Sequence, residues 1–370
     1  MRRVIGRTAA VLVVVLLAGW LGAAWYFSGI GIEPTHPTDG PSSVLLGSDG
    51  RTVTLSATPN TTQPGRHGLS WSGGAALVGG VDSRTPGRVE RTLLRGSPPP
   101  DGTRVGLDWN YPADPRPLLG TPIRTVGVRT ELGTAPAWYL PGRRDTWVIA
   151  VHGQNGAPNS ILPAVLPMRR LGLPALVIRY RNDVGAPASP DGLMHLGASE
   201  WRDVDAAITT ARRMGARHVI LAGGSMGGAT IFQTLAHSRQ AGIVSGVVDD
   251  AGEVSWPELI DFQSGQYHAP PGTGWLIQKI IEWRTGIDLD AMNVLDHPPA
   301  HRPPLLVFHG TADEENPVKE SRELSATAKR LHWPMQYEEF PNAGHTQSWN
   351  LDPARYESAV TAFTERTIGR

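Results

Sequence analysis

A mostly parallel α/β sheet covered by helices on both faces is the fold this 370-residue sequence predicts, and three observations predict it. From residue 121 onward, short apolar runs such as TWVIAVH (146–152), ALVIRY (175–180), HVILA (218–222) and PLLVF (304–308) alternate with helix-period segments. Such near-continuous apolar strands are buried on both faces, which requires helices on each side of a parallel sheet. The segment 198–214 is strongly amphipathic, with Trp201, Val204, Ala207, Ile208 and Ala211 on one face. A glycine-rich turn with a serine at its centre, GGSMGG at 223–228, joins one strand to the helix after it.

The remaining elements follow in order. Three arginines (Arg2, Arg3, Arg7) precede a 20-residue uncharged run, Thr8 to Phe27. At 1.5 Å per residue such a helix is ~30 Å long, the thickness of a hydrocarbon core. With no further Lys or Arg between Arg7 and Arg51, the expected topology is residues 1–7 inside, a signal anchor at 8–27 and the rest outside. The alternatives are a cleaved signal peptide, which would leave a secreted protein, and a buried core helix. Residues 28–43 read as a Pro/Gly/Thr linker, and 44–120 as a small antiparallel β-rich region with strands at 52–57, 88–94 and 104–109. Residues 121–370 form the α/β domain, opening on a hairpin (123–130, 137–140). Helices are expected at 161–171, 229–236, 317–332 and 353–367, and further strands at 243–248 and 335–340. The interval 253–300 breaks the rhythm with Trp256, Phe262, Tyr267, Trp275 and Trp283, and reads as a lid.

Composition removes several functions. The 34 cations balance 34 anions, so nucleic-acid binding lacks its main electrostatic term. The chain contains no cysteine, which excludes disulfides, thiolate metal sites and a cysteine nucleophile. Twelve histidines are present, but none at the paired spacing of a zinc hydrolase, so no metal is expected.

The chemistry centres on Ser225. In G-x-S-x-G between strand and helix, the sharp turn lifts the serine Oγ above the sheet, and the next N–H, that of Met226, faces a developing oxyanion. A hydroxyl needs a base. His345, in NAGHT after strand 335–340, lies downstream in a loop that enters the last helix. The imidazole needs an orienting acid. Asp313, just past PLLVF, is favoured, with Asp249 and Asp250 as rivals after VSGVV. The second oxyanion donor is expected from HGQNG (152–156), at the Gln154 N–H. His152 and His309 read as structural.

These motifs (HGQNG, GGSMGG, HGTAD at 309–313 and AGH at 343–345) resemble the α/β-hydrolase superfamily of serine hydrolases, near its prolyl-oligopeptidase-like and acylaminoacyl-peptidase-like branch. The resemblance covers residues 120–370. It implies an eight-stranded sheet, a Ser225–His345–Asp313 triad, acyl-enzyme chemistry and no cofactor. Two features depart from it: HGQNG lacks the HGGG run of many esterases, and residues 44–120 lie outside the resemblance. The expected activity is hydrolysis of carboxylic esters outside the cytoplasmic membrane. A peptidase or amidase on the same triad and a non-catalytic binding protein of the same fold are the alternatives. Relatives that gate peptides carry a large propeller, which 75 or so residues cannot build. In the segment 275–283, Leu276, Ile280 and Trp283 form a helical stripe that either packs on the sheet as part of the core or roofs an acyl pocket; in the second case Trp275 and Trp283 are expected to line and bound that pocket, favouring short-to-medium acyl esters over long-chain lipids.

Overall fold

The computed structural model describes residues 2–35 and 42–369, with side chains from residue 11 onward. The side chains of Arg2, Arg3 and Arg7, and the middle of the expected linker, lie outside the described residues. Helix α1 (Arg2–Ile32) is one continuous element. Its Val11–Ile32 stretch has a mean hydropathy of 2.0 over its most apolar window, long and apolar enough to cross a membrane. The helix runs five residues past Phe27, into the expected linker, because Ser28–Ile32 pack against the α/β domain, where Ile32 is fully buried. Pro34 then bars further helical turns.

Six strands follow: β1 (Ser43–Ser48), β2 (Thr52–Ser56), β3 (His67–Trp71), β4 (Gly74–Thr85), β5 (Arg88–Gly96) and β6 (Arg104–Asp108). They close into an antiparallel barrel in the order β1-β2-β5-β4-β3-β6, with Ser43 paired to Val105 at the seam. Alternate residues such as Leu45, Val53, Leu55, Leu69 and Val89 fill its interior. The fully buried Arg91 donates to the carbonyls of Thr61, Gln63, Gly65 and Gly79, pinning the long β2–β3 loop to the barrel.

A short helix, α2 (Arg116–Leu119), leads into an eight-stranded sheet. Its first part is the hairpin β7 (Arg124–Thr130) and β8 (Gly133–Leu140), then β9 (Thr146–Val151), α3 (Leu162–Arg170) and β10 (Ala175–Ile178). Helix α4 (Trp201–Arg213), β11 (His218–Gly224), α5 (Met226–His237) and β12 (Val244–Asp250) continue the alternation. Two helices interrupt it, α6 (Trp256–Gln266) and α7 (Thr273–Thr285), before β13 (Leu305–Gly310), α8 (Val318–Arg330), β14 (Met335–Phe340), α9 (Ser348–Leu351) and α10 (Pro353–Ile368). The strand order is β14-β13-β12-β11-β9-β10-β8-β7; β8 alone is reversed, pairing antiparallel with both β7 and β10, and the other neighbours pair parallel. Each sheet face has its own core: Val204, Ile208 and Phe232 lie on one side, and Met168, Phe308 and Tyr356 on the other. The carboxyl ends of β9, β11, β12 and β13 therefore meet at one edge, where ligands of open α/β sheets bind.

Candidate active site

Ser225 sits between β11 and α5 with φ 55° and ψ −134°, a left-handed conformation that a non-glycine residue adopts only under constraint. Its N–H donates to the Asp250 carbonyl at 3.1 Å, and its own carbonyl accepts from the Gly228 N–H at 2.7 Å. The flanking glycines are required by space. A Cβ at Gly227 would stand 2.2 Å from the Val151 carbonyl oxygen, and one at Gly223 would stand 2.9 Å from the Gly227 backbone. Helix α5 starts at Met226, three residues before its expected start, so the Met226 N–H falls in the first turn, where no intrahelical acceptor exists.

Asp313 and His345 are brought together from separate loops. His345 Nδ1 lies 2.8 Å from Asp313 Oδ2, whose carboxylate is wholly buried. Asp313 Oδ1 accepts from the Glu315 and Asn316 N–H groups, and His309 Nε2 lies 3.2 Å from Oδ2. Burial alone would raise the Asp313 carboxyl, but hydrogen bonds with His309 and His345 outweigh it and hold the group well below the usual carboxylate range. Burial likewise pulls the His345 imidazole down, yet the Asp313 hydrogen bond and charge lift it to about 9. His309 also bonds to Ser321 Oγ and the Asn316 carbonyl, and His152 to Asp183 and the Gly153 carbonyl. Both hold loops rather than face the cavity with a free nitrogen.

The rival acids are engaged elsewhere. Asp250 meets Ser348 and Tyr356, and burial pushes its carboxyl up to about 6. Asp249 packs against Gly228 and Gly252, and burial beside Glu253 and Asp250 raises its carboxyl well above the usual carboxylate range.

Glu253 is a site residue that sequence reasoning missed. It is buried, and its Oε1 accepts the Ser225 hydroxyl proton at 3.0 Å. Burial pushes this carboxyl up to about 7, against the pull of the His345 charge. Its only sequence signal is position, three residues beyond β12 at the start of the inserted segment.

Gln154 follows Gly153, whose added Cβ would lie 2.8 Å from Ser225 Cβ, so this turn runs directly against the serine. The Gln154 side chain reaches away from it and donates to the Gly31 and Ile30 carbonyls of α1. A cavity of about 610 Å³ is lined by these groups, Ser225, Glu253 and His345 among them. Phe27 and Ile30 of α1, Ile277 and Ile281 of α7, and Leu259 and Ile260 of α6 are among its apolar walls.

The expectation for Trp275 and Trp283 fails. Neither lines the cavity; they are 59% and 75% exposed. The helical period explains it: Thr273, Ile277 and Ile281 recur every four residues on the inner face, which leaves Trp275 and Trp283 on the outer one. The preference for short acyl chains that rested on these two residues loses its basis.

The barrel touches the site directly. Trp109, just past β6, donates from Nε1 to Thr346 Oγ1 beside His345 and lines the cavity with Asn110. Asn350 donates to the Arg66 and Trp109 carbonyls, clamping the His345 loop from the barrel side. Among the described residues Glu282, Asp288 and Asp290 bring three carboxylates close enough to share a cation, but none of them lines the cavity.

Comparison with known proteins agrees with this architecture. Residues 194–370 match the prolyl oligopeptidase family, and residues 44–108 match a domain of unknown function. An uncharacterized protein of Salmonella typhimurium, YfhR, is 25% identical over 289 residues, 72% of this chain and 90% of its own. The Pyrococcus furiosus esterase Pf2001 superposes with a TM-score of 0.55 at 19% identity, covering 68% of this chain and 94% of the esterase. A Mycobacterium tuberculosis puromycin-hydrolyzing peptidase superposes with a TM-score of 0.55 at 18% identity, covering 87% of this chain and 47% of the peptidase. The chain has the α/β-hydrolase fold, and its residues 194–370 match the prolyl oligopeptidase family.

Proposed function

We propose that the protein is a membrane-anchored serine hydrolase that cleaves carboxylic esters with Ser225 as nucleophile, His345 as general base and Asp313 as orienting acid. One observation carries this reading: the strained Ser225 elbow and the Asp313–His345 hydrogen bond converge on one apolar cavity. In the reading, the Ser225 hydroxyl turns from Glu253 toward neutral His345, which takes its proton as Oγ attacks the ester carbonyl. The Met226 and Gln154 N–H groups receive the oxyanion. His345 then gives its proton to the departing alcohol, leaving the acyl group on Ser225. Water, deprotonated by the same imidazole, releases the acid and frees the serine. Helix α1 is the anchor, with residues beyond it on the far side of the membrane from the basic N-terminus.

Hydrolysis of amides is the second reading, favoured by the matched family and the puromycin-hydrolyzing neighbour. The test is labelling by a fluorophosphonate, followed by turnover of p-nitrophenyl butyrate against an aminoacyl amide. Faster turnover of the amide would replace the ester reading, and failure of Ser225 to label would remove both.

A further inference from the structure

Helix α1 does more than tether. Its C-terminal third is built into the α/β domain beside α7. Trp20 Nε1 donates to Thr273 Oγ1 at 2.7 Å, and the Trp25 and Trp283 rings meet at 5.9 Å. Arg284 stacks over Trp25, bonds to Ser28 Oγ and pairs with Glu33. The contacts advance together along both helices, 20 to 273, 25 to 283 and 28 to 284, so α7 runs alongside α1 in the same direction. The tail side of α1 is bare: Val11 to Leu17 are about half or more exposed.

These contacts fix a depth. A span of ~20 residues is needed to cross a hydrocarbon core, and counted from Thr8 it ends at Phe27. Trp20, which holds the start of α7, lies seven residues earlier, roughly 10 Å below that end. The turn that precedes α7, Tyr267-His268-Ala269-Pro270-Pro271-Gly272, contains no acidic or basic residue other than His268. Tyr267 is 70% exposed, and a Cβ at Gly272 would touch the Trp20 ring. The outer face of α7 presents Trp275, Lys279 and Trp283 at i, i+4 and i+8. Two exposed indoles flanking a lysine, whose stem can lie along apolar surface while its ammonium stays in water, suit the headgroup layer of a bilayer. The same turn forms the cavity rim, because Tyr267, Ala269 and Thr273 line it together with Phe27 and Ile30 of α1.

We propose that the tip of the α6–α7 cap, residues 267–283, dips into the leaflet where α1 emerges, with the start of α7 at acyl-chain depth beside Trp20 and Lys279 and Trp283 at the headgroups, and that the cavity draws its substrate from that leaflet. The substrate class is an ester of one acyl chain with a polar alcohol. The chain enters between α1 and α7 along Phe27, Ile30, Ile277 and Ile281, and the ester linkage reaches Ser225. The inference rests on the ester reading for its substrate and on the anchor reading of α1, together with the α1–α7 contacts, for its surface. The 610 Å³ cavity falls mid-range for sites that bury one small ligand.

The experiment uses the full chain in phosphatidylcholine vesicles. Because the chain has no cysteine, Trp275→Cys and Met214→Cys each accept a single fluorophore. Met214 closes α4 four residues before β11 starts, at the amino ends of the parallel strands and so away from the carboxyl ends that carry the site, and is 40% exposed. Spin-labelled lipids should quench the probe at 275 several-fold more than the probe at 214. Equal quenching at the two positions would overturn the seating. In parallel, Trp275→Glu should slow hydrolysis of a monoacylglycerol dispersed in the vesicles by ~10-fold, while soluble p-nitrophenyl butyrate is cleaved as before. An equal change for both substrates, or none for either, would overturn the route. If wild-type protein cleaves neither ester, the ester reading fails, and the quenching comparison still decides the surface.

Discussion

The Ser225 hydroxyl donates its hydrogen bond to Glu253 Oε1, at 3.0 Å, while His345 faces the same cavity and is hydrogen-bonded to Asp313. A buried carboxyl thus competes with the base for the serine proton, and its charge helps to hold the imidazole protonated. Glu253→Gln should keep the hydroxyl partnered but remove that charge. The midpoint of the pH profile for phosphonate labelling should then move to lower pH, with the protein folded and still reactive. An unmoved midpoint would show that Glu253 is only packing.

In the wild type, labelling should rise with pH, since only neutral His345 can accept the serine proton. The midpoint should lie near 9, above the ordinary imidazole value of 6.5, because the bond and charge of Asp313 favour the cation over the effect of burial. The stability linkage has the same sign: a raised histidine stabilises the fold fully below 6.5, and this contribution fades as pH rises through about 9. Labelling rates measured from pH 6 to 10 check it; a plateau already reached at pH 7 would contradict it.

Asp313→Asn should lower kcat by ~10⁴, because the imidazole loses its tautomer and orientation. Asp250→Asn should be mild, since Asp250 holds Ser348 and Tyr356 and its main-chain carbonyl, which anchors Ser225, is retained. The reverse ranking in steady-state kinetics would reassign the acid.

Gly153→Ala would bring a methyl to 2.8 Å from Ser225 Cβ and 3.3 Å from its Oγ. Shifting this turn displaces the Gln154 N–H, so kcat should fall by ~10²–10³, the scale of a lost oxyanion donor. Circular dichroism should show the fold retained.

Arg284→Ala removes the Glu33 ion pair, the Ser28 hydrogen bond and the stack on Trp25. The loss should be about 1–3 kcal/mol, lowering Tm by several degrees. Proteolysis between Trp25 and Pro34 in detergent should accelerate, because α1 is released from α7.

The central strands of the sheet and the serine elbow were legible because buried strands are nearly pure Val, Ile, Leu and Ala, and because glycine is the only residue that fits at 223 and 227. Barrel strands β3 and β4 were not, since GLSW and GAALVGG interrupt alternation with glycine. The pairing of Asp313 with His345 followed from both lying just beyond strand ends. Glu253 left no such mark, because its role depends on how the first residues of an insertion fold back over Ser225. The inner face of α7 was misplaced by about one residue because the stripe Leu276, Ile280 and Trp283 also has helical spacing, whereas Ile277 and Ile281 point inward. The docking of α1 on α7 was invisible for a related reason: an apolar run reads the same whether lipid or protein covers it.

The most direct test of the account is the intact mass of the full chain after exposure to a fluorophosphonate, with peptide mapping of the adduct. The account predicts one phosphonyl group per chain, carried by Ser225 and absent from Ser225→Ala. No adduct on the wild type, or an adduct that persists in Ser225→Ala, would contradict it.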